Sequence, residues 1–93
     1  MSISLIVHGG AWAIPDAEAE AHRVGVGAAL DAGWRLLSTG ATALDACVAA
    51  VRVMEDDATF DAGVGSFLNA AGDVEMDAAI MDGRTLAFGA VAA

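Results

Sequence analysis

The hydrophobic periodicity of this chain breaks at Glu55-Asp56-Asp57, and that break constrains the fold more than any other feature. Before it, apolar residues recur at helical spacing. After it, short apolar segments alternate with glycine-bearing turns. Two helices followed by a run of short strands predict the α+β class.

The clearest helix lies just before the break. Thr42-Ala43-Leu44-Asp45 has the spacing of a capping box, with Asp in place of the preferred Glu. Behind it, Leu44, Cys47, Val48, Val51 and Met54 form one apolar stripe. A longer helix is predicted over Asp16 to Ser38, with Pro15 ahead of an acidic first turn and Gly40 as its stop. Val24, Leu30, Trp34 and Leu37 fall roughly on one of its faces. Gly25, Gly27 and Gly33 each cost on the order of 1 kcal/mol relative to alanine, so another element is expected to approach closely there. At the start of the chain, Ile3 to Val7 reads as a buried strand halted by Gly9-Gly10.

Beyond the break, Phe60 to Ser66 is a loop with two glycines. Ser66 to Asn69, Val74 to Met81 and Thr85 to Val91 then predict a three-stranded antiparallel meander. Asp82-Gly83 has the signature of a two-residue hairpin turn. The final residues, Leu86 to Ala93, place an apolar edge at the chain end. Such an edge invites association, and the expectation is a chain cut short or half of a two-chain protein.

With 93 residues the chain makes one domain at most. Hydrophobic residues reach 57%, but alanine supplies much of that and tyrosine is absent, so packing through small residues and a thin core are expected. The net charge of -9, with no lysine, disfavours nucleic acid and anionic membranes as partners. The acidic clusters read as solvated helix ends. A lone cysteine, Cys47, rules out an internal disulfide and fits a reducing, cytoplasmic setting; its place in the stripe predicts core packing. No basic leader or long apolar stretch suggests a signal peptide or membrane span.

His8-Gly9-Gly10 after an apolar run is compatible with the oxyanion loop of a serine esterase. That chemistry also needs Gly-x-Ser-x-Gly, which is absent; Gly63-Val64-Gly65-Ser66-Phe67 has the wrong spacing. A phosphate loop lacks its lysine. His8, His22 and Cys47 are too scattered for zinc. Glu75 and Asp77 share a strand face and are read as solvated or salt-bridged, with Asp82 further along.

Three ordered stretches carry a resemblance: "HGGAWAIPD", "TALDACVAAVRVMED" and "FDAGVGSFLNAAGDVEMDAAIMDGRTLAFGAVAA". Together they resemble the plant-type L-asparaginase and isoaspartyl peptidase family across nearly the whole chain. The resemblance implies an N-terminal-nucleophile hydrolase with an αββα sandwich. Residues 1–93 would be an incomplete, N-terminal portion of that domain, supplying one strand, two helices and an antiparallel meander. It implies a precursor that cuts itself before a threonine into α and β subunits, and two αβ units that pair. It implies hydrolysis of small β-aspartyl dipeptides and of the asparagine side-chain amide, with no catalytic cofactor.

The resemblance also implies a structural sodium ion held by backbone carbonyls of Met54, Glu55, Asp57, Phe60, Ala62 and Val64. The position that the family fills with Asn in "FNAG" carries Asp61 here, near the active site. His8, Gly9 and Gly10 form an adjacent turn, in which His8 is expected to orient the loop through a hydrogen bond. No nucleophile is assigned: Thr39, Thr42, Thr59 and Thr85 are internal, and the chain alone is expected to be inactive. Glycosylasparaginase and threonine aspartase share the implied fold. The alternative from another class is a non-catalytic acidic module that binds a partner through its open edge.

Overall fold

A computed structural model describes residues 2–93. Helix α1 spans Asp16–Ser38 and α2 spans Ala43–Asp56; strands β1 (Ala78–Asp82) and β2 (Ala87–Val91) follow. Both helices form where the pattern predicts them. Pro15 occupies the N-cap of α1, with Asp16 and Glu18 in the first turn and Arg35 in the last, so charge complements the helix dipole at both ends. The other end closes as a Schellman motif. Gly40 adopts φ +88, its N–H donates to the Leu37 carbonyl (3.1 Å), and the Ala41 N–H donates to that of Leu36 (3.0 Å). Thr42 caps α2 by accepting the Asp45 N–H at 3.1 Å.

The two helices meet through their smallest residues. His22, Gly25, Ala29 and Gly33 are the buried positions of α1, and Ala46 and Ala50 those of α2. A Cβ added at Gly33 would lie 3.1 Å from the Ala46 carbonyl and 2.8 Å from the Leu5 side chain. This corrects two expectations. Val24, Leu30 and Trp34 are exposed rather than buried, because the close approach selects the glycine and alanine face. On α2, Cys47, Val48 and Val51 are likewise exposed, one face away from Ala46 and Ala50. Close approach explains Gly25 and Gly33, but among the described residues nothing lies within 4 Å of a Cβ at Gly27.

Residues 3–7 form no strand. Leu5, Val7 and Gly9 are half-buried while Ile6 is 93% exposed, which is the alternation of a strand without a ladder. A strand needs a neighbour to share backbone hydrogen bonds, and the described residues provide none beside it.

The expected three-stranded meander reduces to a two-stranded antiparallel sheet plus one bridge. Ala78 pairs with Val91 and Asp82 with Ala87, while Leu68 and Val74 form an isolated antiparallel bridge. The hairpin connection is also longer than the two residues expected. Gly83 has no positive φ, as the two-residue turn requires. Instead the Asp82 carboxylate accepts the Arg84 N–H (3.0 Å), and Leu86 takes the left-handed position at φ 61. Four residues, 83–86, therefore close the turn.

The hairpin meets the helix pair only through a loose contact of β1 with α2, and every residue of β2 is exposed. The radius of gyration is 14.6 Å, against roughly 12 Å for a compact chain of this length. The accessible surface is 6773 Å², against roughly 5,000 Å² for a folded monomer of this mass. An open cleft of about 580 Å³ between α2 and the hairpin, lined by Cys47, Val48, Val51, Ile80 and Val91 among others, accounts for part of the excess.

A candidate active-site wall

After α2, the chain coils into a loop over residues 57–66. The Asp57 carboxylate accepts the Thr59 N–H at 2.9 Å, and the Asp57 carbonyl accepts the Phe60 N–H at 3.1 Å. The Thr59 amide and hydroxyl hold the Asp57 carboxyl below its ordinary pKa, with a smaller contribution from His22. Val64 N–H then reaches back to the Glu55 carbonyl at 2.8 Å. This coil admits only glycine at two places. A Cβ at Gly63 would lie 2.4 Å from the Glu55 oxygen, and one at Gly65 would lie 2.2 Å from the Ala58 oxygen and 2.3 Å from the Phe60 oxygen.

The coil brings Asp61 into place, where its Oδ1 accepts the Phe67 N–H at 2.8 Å. Facing it is the turn at residues 8–12, where Gly10 has φ +112. Between them lies a cavity of about 370 Å³. Its first wall comprises His8, Gly9, Gly10, Ala11 and Trp12. Its second comprises Phe60, Asp61 and Ala62, with Val51 and Met54 of α2 at the base. Among the described residues, Asp61 is its sole carboxylate and His8 its sole titratable base.

The structure therefore gathers His8, Gly9, Gly10, Met54, Phe60, Asp61 and Ala62 around one space. Glu55, Asp57 and Val64 lie outside it: Glu55 faces the apolar cleft, while the other two belong to the coil. The hydrogen bond expected of His8 is not formed among the described residues. None of the four threonines lines the cavity. Thr39 donates to the Leu36 carbonyl, Thr42 caps α2, Thr59 binds Asp57, and Thr85 accepts the Ala87 N–H.

Sequence reasoning missed what holds the two walls together. Phe60 is 3% exposed, and its ring lies against Gly9 and Gly25, where added Cβ atoms would come within 3.0 and 2.5 Å of it. The His22 ring meets that of Phe60 edge-on, with centroids 5.5 Å apart. Trp12 meets both His22 (5.8 Å) and Phe67 (5.9 Å) in the same manner. Such aromatic pairs are worth about 0.5–1.5 kcal/mol each beyond their burial. The available signal was the spacing of His22, Gly25, Ala29 and Gly33 on α1, which places a ring above a row of small residues.

A sequence profile of the asparaginase family matches residues 1–93. The chain is 51% identical over 89 residues to an isoaspartyl peptidase/L-asparaginase of Danio rerio, covering 96% of this chain and 29% of that protein. It is 47% identical over 94 residues to the isoaspartyl peptidase/L-asparaginase of Mus musculus, covering 100% of this chain and 29% of that one. It is 52% identical over 91 residues to a plant-type L-asparaginase of Pyrococcus furiosus, covering 97% and 29% respectively. The chain thus spans a little under a third of the length of these relatives, and it belongs to the asparaginase family.

Proposed function

We propose that this chain is the N-terminal, α-subunit part of an isoaspartyl peptidase/L-asparaginase, an amidohydrolase acting on β-aspartyl dipeptides and on the asparagine side-chain amide. The observation that carries this reading is the convergence of His8-Gly9-Gly10 and Phe60-Asp61-Ala62, some fifty residues apart in sequence, on one cavity. In this reading the domain is an αββα sandwich, and the uncovered hairpin and ladderless residues 3–7 find their neighbours in the remainder of the precursor. Two αβ units pair, in the cytoplasm. No helix among the described residues is long and apolar enough to cross a membrane.

The nucleophile in this mechanism is a threonine that begins the β subunit. Its hydroxyl oxygen attacks the amide carbon, and the hydroxyl proton passes to its own α-amine. The C–N bond then breaks, the proton leaves with ammonia or the departing amine, and water hydrolyses the acyl-enzyme to release aspartate. This chain supplies a wall of that site. One Asp61 oxygen is held by the Phe67 N–H, and the other accepts no hydrogen bond among the described residues. A carboxylate at this position only accepts, whereas the asparagine found in the family would also donate, so the two residues suit different partners across the cavity.

The coil also fits a structural sodium ion in its donor chemistry. Met54, Glu55, Asp57, Phe60, Ala62 and Val64 bring six carbonyls along one tight segment, and Gly63 and Gly65 let backbone oxygens crowd together. Carbonyl oxygens suit a hard cation, and these residues would hold one. The ion would be structural; the reaction uses no cofactor.

The test is hydrolysis by the complete gene product. Ammonia release from asparagine and cleavage of a β-aspartyl dipeptide are expected. A correctly processed protein that hydrolyses neither would overturn the assignment. The exposed hairpin also favours a second reading, a non-catalytic partner-binding module. That reading requires the 93-residue chain to be folded and monodisperse with no second polypeptide.

A further inference from the structure

We propose that His22 is a positioning residue: its ring sets the separation of the two cavity walls, and its nitrogens take no part in the chemistry. Helix α1 contributes no residue to the cavity lining. Yet His22 on α1 pairs edge-on with an aromatic ring from each wall. Trp12 ends the first wall and Phe60 begins the second, with centroids 5.8 and 5.5 Å from the imidazole. His22 is only 8% exposed, and its Nδ1 has no hydrogen-bond partner among the described residues. What the structure does show this imidazole contacting is aromatic: its ring packs edge-on against Trp12 and Phe60.

The ring chain extends to the Asp61 side of the cavity. Trp12 also meets Phe67, whose N–H fixes Asp61. The series Phe60, His22, Trp12, Phe67 thus ties the Gly9-Gly10 turn to Asp61 from both sides. Without a planar ring at position 22, Trp12 and Phe60 can move independently, and the gap between Gly10 and Asp61 changes. Misplacement of about 1 Å is enough to cost a hundredfold in rate, so a partial loss of registry is expected to cost roughly tenfold.

The kinetic consequence rests on the hydrolase reading; the clamp itself does not. The test compares His22→Phe, His22→Leu and His22→Ala in the complete gene product. Each is assayed for kcat and KM on asparagine and by fluorine NMR of fluorotryptophan-labelled protein, with the Trp12 resonance assigned through Trp12→Phe. His22→Phe is expected to keep kcat within about threefold and leave the Trp12 resonance near its native position. His22→Leu, which fills the volume without a ring, should stay folded, shift that resonance and lower kcat roughly tenfold with little change in KM. His22→Ala should do the same or more; if it fails to fold, the leucine variant decides. The proposal is overturned if His22→Phe is as impaired as His22→Leu, or if His22→Leu leaves both kcat and the Trp12 resonance unchanged. If the wild-type protein hydrolyses neither substrate, the functional reading fails while the resonance still decides the clamp.

Discussion

Phe60 and Phe88 are the same residue in opposite situations. Phe60 is 3% exposed, wedged between Gly9, Gly25 and His22; Phe88, in β2, is 63% exposed. The glycines divide in the same way. A Cβ at Gly9, Gly25, Gly33, Gly63 or Gly65 would collide, whereas nothing lies within 4 Å of one at Gly83 or Gly89. The helix pair and its coil therefore carry their own packing, while the hairpin has its strand geometry but no cover. Local signals suffice to shape an element, but burial depends on what else is present.

The largest effect should come from substituting the two phenylalanines in the 93-residue chain. Phe60→Ala should cost about 3–5 kcal/mol in chemical denaturation, if the chain remains folded at all. Phe88→Ala should stay within about 0.5 kcal/mol. Equal losses would abolish the distinction. Gly65→Ala comes next, at no less than about 3 kcal/mol, because its Cβ meets carbonyl oxygens that cannot move without uncoiling the loop. Gly89→Ala should be neutral in the same chain. If it is costly only in the complete gene product, the hairpin has found its cover there.

Smaller effects sharpen the boundary between the regions. Thr42→Ala removes the cap of α2 and should cost about 1 kcal/mol, again by denaturation. In the hairpin, the guanidinium and amide of Arg84 hold the Asp82 carboxyl below its ordinary value of 3.8. A carboxyl with a lowered folded pKa adds stability that is present above its unfolded pKa and is lost as pH falls through the folded one. The hairpin should therefore loosen below pH ~4, where unfolded aspartate protonates. Amide exchange at Ala87 should detect this, and Asp82→Asn should remove the pH dependence. An unchanged profile would show that the Arg84 contacts are not formed.

What the sequence makes legible follows the same division. The helices could be read with their ends because caps are local: Thr42 acts through Asp45, and Gly40 through the carbonyls three and four residues before it. On α1 the glycine spacing marks the close approach, which occurs at Gly25 and Gly33, while the large apolar residues Val24, Leu30 and Trp34 stay exposed because that contact selects small side chains. Residues 3–7 show strand alternation, but a ladder is a property of two segments and only one is at hand. The two-residue turn failed because Asp82 spends its carboxylate on Arg84, which favours a wider loop. At the site, His8-Gly9-Gly10 and Phe60-Asp61-Ala62 could be named from resemblance. Their juxtaposition across His22 depends on tertiary packing, which no spacing rule contains.

The most direct test of the central claim is intact mass measurement with N-terminal sequencing of the protein purified from its native source. The account predicts a co-purifying second polypeptide that begins with threonine. A lone polypeptide of 93 residues, with no threonine-led partner, would contradict it.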